Sequence, residues 1–375
     1  MKRSTLRYIL IAALLTGPGM ARAVPTVTVM TYNVYVGGDL EPVTSAIIQS
    51  PPNPLDIGLA AGALFGQVQA TDFSARATGI AAQIEATQPH VIGLQEVALW
   101  RTGPVDPAPA TNVAYDFLGI LQSELAARGL NYSVVAQHSA FDAELTTVTP
   151  VPNAQPLLQD VRLTDRDVIL VRNDVTVLNS TGAGFTTNLG PPFFPIPSTR
   201  GWIAVDAEVD GVAFRFLNTH LEPNVEPINA GQGLELLALA GAQGSAGLPL
   251  ILVGDFNSPA TGGTTYGIMT GLGGFGDAWL AAGSGAGLTC CNDPNLLDPP
   301  ALSERIDFIF FRDGLTAIAA DVIGDTDLDR VAGNLLFSDH AGVVATLLLP
   351  VPEPGTLLLL LVGLAGVRRF ARRAS

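Results

Sequence analysis

"LILVGDFNSPA", residues 250–260, begins as a buried strand and ends in a carboxylate. Leu250, Ile251, Leu252 and Val253 form an unbroken apolar run, the pattern of a strand covered on both faces. Gly254, Asp255, Phe256, Asn257, Ser258 and Pro259 follow. A strand alternates its faces, so Asp255 and Asn257 point one way while Phe256 packs on the other side. A turn explains the same residues, because Gly, Asp, Asn, Ser and Pro are all turn formers. The choice between a turn and a functional edge depends on the rest of the chain.

The ends read as addresses. Met1, Lys2 and Arg3, a short apolar run over 6–15 and Ala21-Arg22-Ala23 make a secretory signal peptide over 1–23. The apolar run is too short for a membrane anchor. At the other end, Val351-Pro352-Glu353-Pro354 precedes an apolar run over 356–367, closed by Arg368, Arg369, Arg372 and Arg373. That order of parts over 350–375 resembles a PEP-CTERM sorting tail. The resemblance implies a Gram-negative bacterium, export, transient inner-membrane association through the tail, processing by an exosortase-type enzyme, and a final place at the cell surface or outside it. A plain C-terminal anchor is the alternative.

Residues 24–349 show no linker or repeat and read as one domain. The basic residues within it are eleven arginines against 33 acids, a balance of roughly −22 that excludes a sequence-independent polyanion binder relying on basic surface. A nucleic-acid substrate would be held locally, by a few arginines and a metal. Cys290 and Cys291 are adjacent, which excludes a framework of bridges and leaves a vicinal disulfide or two thiols in a loop.

Strands are expected over 27–32, 91–96, 132–136, 167–172, 202–209, 213–218, 250–253, 307–312 and 342–349, and helices over 73–87, 115–128 and 230–242. Residues 37–72 read as a long excursion with some helix. Several strands are apolar throughout, so one face of each sheet meets another sheet and its other face meets helices. The expected fold is α/β, a four-layered sandwich with two central mixed β-sheets flanked by helices.

Six of these strands carry polar residues at one edge: Asn33, Glu96, Asn218 with His220, Asp255 with Asn257, Asp307, and Asp339 with His340. Each has an ordinary explanation as a turn residue, helix-entry acid or satisfied core histidine. Convergence of all six requires the last two strands to run opposite to the earlier ones. The stretches "TYNVY", "GLQEV", "NTHLE", "VGDFNSP", "ERIDFIF" and "SDHAGV" follow the order seen in the endonuclease/exonuclease/phosphatase superfamily, which the chain resembles from about Val27 to Leu349. The resemblance implies the four-layered sandwich and Mg²⁺-dependent hydrolysis of a phosphoester, with Mn²⁺ as a possible substitute.

By that similarity Glu96 and Asp339 would be metal carboxylates and Asn33 would support through its amide oxygen. Asp255 would orient or deprotonate the attacking water, and Asn257 would hydrogen-bond the phosphate. His220 would donate to a non-bridging oxygen, and Asp307 would orient His340; Asp255 and His340 both match positions described as the general base. Hard oxygen donors suit Mg²⁺, and an anionic phosphate needs its charge neutralised before water attacks. Arg166 is a further candidate for the phosphate, against an ion pair with Asp165 or Asp167. Arg200 and Glu222 carry less weight. Three functions stand: an exported nuclease or phosphodiesterase, a sphingomyelinase-like lipid phosphodiesterase or phosphomonoesterase, and a non-catalytic matrix protein. The low-charge segment "DIGLAAGALFGQVQA" would favour a lipid substrate if it formed a lip beside the site, and would say nothing about substrate if it packed as a helix.

Overall fold

The computed structural model describes residues 24–191, 195–244 and 247–350. The expected signal peptide and all but the first residue of the sorting tail lie outside them. The first third of the described chain holds β1 (Thr26–Asn33), α1 (Glu41–Ile48), α2 (Pro54–Ala70), α3 (Phe73–Thr87), β2 (Val91–Gln95), β3 (Leu99–Gly103), β4 (Asn112–Asp116) and α4 (Phe117–Ala127). Then come β5 (Tyr132–Thr149), β6 (Leu157–Arg172), β7 (Thr176–Gly184), β8 (Gly201–Val209), β9 (Val212–His220), α5 (Glu226–Gly244) and β10 (Leu250–Asp255). The last third holds α6 (Thr264–Gly267), β11 (Gly276–Asp277), α7 (Ala278–Ala282), β12 (Asp307–Arg312), β13 (Thr316–Ile323), β14 (Arg330–Val331), β15 (Leu335–Leu336) and β16 (Gly342–Leu348).

Two mixed sheets dominate. The first has eight strands, ordered β13-β16-β1-β2-β6-β3-β4 with β5 also paired to β6, and the second has six, ordered β11-β12-β10-β9-β8-β7. The continuous apolar run of β10 is accounted for residue by residue. Ile251 and Val253 enter the core between the sheets with Val29, Val91, Phe216 and Ile309. Leu250 and Leu252 turn outward to a separate core with Leu217, Phe308, Phe310 and, from α5, Leu236 and Ala240. The first sheet does the same, with Ile92 and Leu94 facing outward toward Phe73, Ile80 and Ile84 of α3 and Phe117 and Leu121 of α4. The layers are therefore helix, sheet, sheet, helix. Burial of both faces is why these strands cannot alternate apolar with polar.

The required strand reversal is present. β1 runs parallel to β2 and β9 parallel to β10, whereas β16 runs antiparallel to β1 and β12 antiparallel to β10. The C-terminal ends of four early strands therefore meet the N-terminal ends of two late ones. The excursion over 37–72 is largely helical. Gly58, Ala61, Leu64, Phe65 and Val68 of α2 are buried, and a methyl group at Gly58 would lie 2.7 Å from Val148 of β5. This segment packs against the sheet, so it gives no support to a lipid-binding lip. Among the described residues no helix is long and apolar enough to cross a membrane.

Candidate active site

The register of the second sheet assembles the first part of the site. His220, Asp255 and Asp307 lie directly opposite one another across β9, β10 and β12, and all three side chains are buried. Gly254 makes this approach possible. Its φ is +147°, and a Cβ there would stand 2.0 Å from the Thr219 carbonyl oxygen, so the residue before Asp255 has to be glycine. Asp255 Oδ1 accepts from the Asn257 amide at 2.9 Å, which turns the chain out of the strand; Asn257 itself has φ 46°.

The first sheet brings the remainder. Asn33, at the end of β1, donates from Nδ2 to Glu96 Oε1 at 3.1 Å and to Asp255 Oδ2 at 3.0 Å, bridging the two sheets. Its oxygen accepts from the Tyr35 amide at 3.0 Å. The amide oxygen expected to support a metal keeps a second lone pair, while the amide nitrogen braces two carboxylates. Glu96 adopts φ 59° immediately after β2, and its Oε2 accepts from the Val36 amide at 2.8 Å. Ser338 donates to the Asn33 carbonyl at 2.8 Å and accepts from the His340 amide at 3.2 Å, fixing the loop before β16.

His340 Nδ1 lies 2.9 Å from Asp307 Oδ2, and its Nε2 is 3.8 Å from Asp255 Oδ2. His220 Nε2 is 3.5 Å from the same oxygen, and its Nδ1 is 3.9 Å from Asp167 Oδ1. Two imidazoles therefore flank one carboxylate oxygen. Their surroundings push them in opposite directions. Burial, together with Arg200 and His340, pushes His220 well below its ordinary value. Burial works the same way on His340, but Asp307, Asp339 and Asp255 outweigh it and raise that imidazole well above 6.5. Asp255 is pushed up to about 7 by burial and by Asp307. Asp339 is likewise raised to about 7, by burial and Glu96 against the opposing effect of His340.

Asp255, Asp307 and His340 each present a ligand atom within 4.8 Å of the others. This compact group differs from the expected set of Asn33, Glu96 and Asp339, although Glu96 and Asp339 remain electrostatically linked. Asp307 Oδ1 is buried without a hydrogen-bond partner. Crowded carboxylates, an orphaned oxygen and raised acid values are what a hard divalent cation would relieve, so the donor set fits one.

Arg166 goes elsewhere. It donates to the carbonyls of Val97 at 2.9 Å and Ala98 at 3.3 Å and pairs with Asp116 at 2.5 Å, bracing the segment after β2. The ion pair expected with Asp165 or Asp167 is made with Asp116 instead. The motifs at the strand edges do not single out those two acids. Both are buried, with Asp165 Oδ1 and both oxygens of Asp167 lacking hydrogen-bond partners. Burial raises Asp165 to about 6, and Arg200 pulls against that rise in both acids. Arg200 Nη1 is itself buried and unpartnered. Glu222 is buried, and its Oε1 accepts from the Asn224 amide.

The model of the Endonuclease/Exonuclease/phosphatase family matches residues 30–340. The chain belongs to this family. A PEP-CTERM protein-sorting motif matches residues 350–373. No curated protein matches the sequence. Solved structures share the fold at low identity. A family member from Bacteroides thetaiotaomicron superposes with a TM-score of 0.56 at 16% identity, covering 87% of this chain and 98% of its own. A mannosyl-6-phosphatase from the same species gives 0.55 at 16%, covering 86% and 99%. The human Nocturnin catalytic domain with a bound sulfate anion gives 0.52 at 18%, covering 87% and 95%.

Proposed function

We propose that this family member is an exported, metal-dependent phosphoesterase that cleaves phosphodiester bonds by attack of water. The observation carrying this reading is the register that sets His220, Asp255 and Asp307 side by side, with His340 held on Asp307. When bound, a divalent cation, Mg²⁺ or Mn²⁺, would neutralise phosphate charge and lower the cost of making hydroxide. Glu96 and Asp339 would hold it, which leaves Asp255 and His340 for the proton and phosphate work below.

The chain's own residues divide the remaining work. Asp255, poised at about 7, is matched to taking a proton from water at neutral pH. His340, kept charged by Asp307, would donate to phosphate oxygen as negative charge builds. His220 stays neutral, and its Nε2 would donate a hydrogen bond without adding charge. Asn257 directs one N–H to the Leu221 carbonyl at 3.0 Å, and its second N–H would serve the phosphate. Arg200, with an unpartnered nitrogen on this face, is a better phosphate ligand than Arg166.

The packed α2 removes the support for a lipid substrate, and the acidic domain favours a small phosphodiester, or a phosphomonoester as in the mannosyl-6-phosphatase neighbour, over tracking along DNA. The sorting motif supports export, handling by an exosortase-type enzyme, transient membrane association and a cell-surface or extracellular destination. The test is hydrolysis of plasmid DNA, RNA, sphingomyelin, bis(p-nitrophenyl) phosphate and p-nitrophenyl phosphate with Mg²⁺, Mn²⁺ or EDTA. Metal-dependent cleavage of one class supports the proposal; a folded protein silent on all five would leave the matrix-protein reading.

A further inference from the structure

Cys290 and Cys291 are joined as a disulfide, and their surroundings give it a place in the site. The backbone of 289–292 runs between two strands of chain that carry catalytic residues. On one side the amides of Thr289 and Cys290 donate to the Glu304 carbonyl at 2.7 and 3.0 Å, and Ser303 donates back to Cys290 at 2.6 Å. On the other side Ala341 donates to the Thr289 carbonyl at 2.7 Å and Asn292 donates to the Asp339 carbonyl at 2.9 Å. Cys290 forms bridge pairs with both Glu304 and His340. Thr289 Oγ1 also accepts from the Asp307 amide at 3.2 Å. One short segment thus holds both members of the His340–Asp307 pair.

The disulfide spans a single peptide unit, so it closes no long loop and constrains the unfolded chain little. Its effect is local. Cys291 has φ 145°, a backbone conformation that residues with a side chain rarely adopt and glycine adopts readily. The ring through both sulfurs holds Cys291 there, and Asn292 follows immediately with its hydrogen bond to Asp339. Cys290 is buried and Cys291 exposed, which makes Cys291 the side from which a thiol in solvent approaches.

We propose that this disulfide is a reducible clamp on the loop carrying Asp339 and His340, through which a small thiol lowers turnover. One thiolate attacks Cys291 Sγ, the S–S bond breaks, and a mixed disulfide forms while Cys290 Sγ takes a proton. A second thiolate then attacks the small molecule's sulfur in that mixed disulfide and displaces Cys291 Sγ, which takes a proton, leaving two protein thiols and one small disulfide; the protein gains two electrons and two protons and the two thiols lose them. Cys291 is then released toward an ordinary backbone conformation. The Asn292–Asp339 and Ala341–Thr289 hydrogen bonds loosen, and His340 moves off the position set by Asp307. The catalytic consequence rests on the phosphoesterase reading; the clamp does not.

The experiment compares the exported protein before and after glutathione or a trialkylphosphine, with thiol formation checked by intact mass. Turnover of the substrate found above and amide exchange at Asn292 and Ala341 are both followed. Reduction is expected to speed exchange at both amides and to slow turnover by about 10- to 100-fold, the scale for small displacements of a catalytic group, with recovery on reoxidation. The Cys290→Ser/Cys291→Ser variant should be slow and indifferent to reductant. Cys290→Ser/Cys291→Gly should regain most of the rate, because glycine accepts the required backbone. A reduced protein with unchanged exchange at both amides overturns the clamp, and so does a Ser/Gly variant that exchanges as fast as Ser/Ser. Unchanged turnover after verified reduction overturns its catalytic role. If the oxidised protein cleaves nothing, the phosphoesterase reading fails while amide exchange still decides the clamp.

Discussion

Raising the pH of the metal-free protein from 5 to 8 should destabilise it, and a divalent cation should reverse most of that loss. Asp255 and Asp339 are each raised to about 7 by burial and acidic neighbours, against about 3.9 in an unfolded chain. A carboxylate with a raised folded value favours folding while protonated, so its contribution is complete below about 4 and is lost as pH climbs through 7. Each group accounts for at most on the order of 4 kcal/mol across that window. His220 runs the other way. Its folded value is depressed, so it stabilises above its unfolded value near 6.5 and costs stability below it. That offsets part of the slope on the acid side and leaves the decline steepest around neutrality, where His340, raised above 6.5, begins to lose its own contribution. At about 2 °C per kcal/mol for a domain of this size, thermal unfolding in EDTA should show an apparent Tm at pH 8 about 10 °C below that at pH 5. Mg²⁺ should raise Tm far more at pH 8 than at pH 5, since only ionised carboxylates bind it. An EDTA Tm that rises over this range, or a Mg²⁺ effect equal at both pH values, would show that these buried carboxylates do not set the pH dependence.

Other substitutions separate bracing from chemistry. Arg166→Ala should cost about 2–4 kcal/mol, because it strands the carbonyls of Val97 and Ala98, yet leave KM for a phosphodiester near its starting value at temperatures where the variant is folded. Arg200→Ala should raise KM or lower kcat by about 10-fold or more, as expected of a lost charged hydrogen bond to phosphate; steady-state kinetics on both variants check the contrast. Arg76 is fully buried in α3 and donates to Val34, Tyr35, Thr71 and Phe337, so Arg76→Met should destabilise by about 3–5 kcal/mol in urea unfolding, leaving these carbonyls without their buried donor.

Much of the scaffold could be read from apolar runs that end in polar residues. The helix over 73–87 and the strand at 250–255 follow from patterns with one buried stripe or two buried faces. The long β5–β6 hairpin is only half legible, because β5 beyond residue 140 is mostly half-buried and mixes polar with apolar residues without clean alternation. Asp165 and Asp167 were hidden for a related reason. "TDRDVIL" looks like a solvated charge cluster, although strand alternation alone sets both acids on the face opposite Arg166. That signal was present, and it also separates Arg166 from the site. The contact of Cys290 with His340 could not be found this way, since it joins distant segments through backbone pairing alone. Convergence of the polar strand ends was readable only because several motifs recurred together.

The decisive measurement is the rate of bis(p-nitrophenyl) phosphate hydrolysis by Asp255→Asn and His340→Ala, beside the unsubstituted protein, in Mg²⁺ and in EDTA. Turnover should need the metal and fall by about 10²-fold or more in each variant, the scale for losing a proton-transfer group or a transition-state donor. Full activity in either variant, with the fold intact, would contradict the phosphoesterase reading.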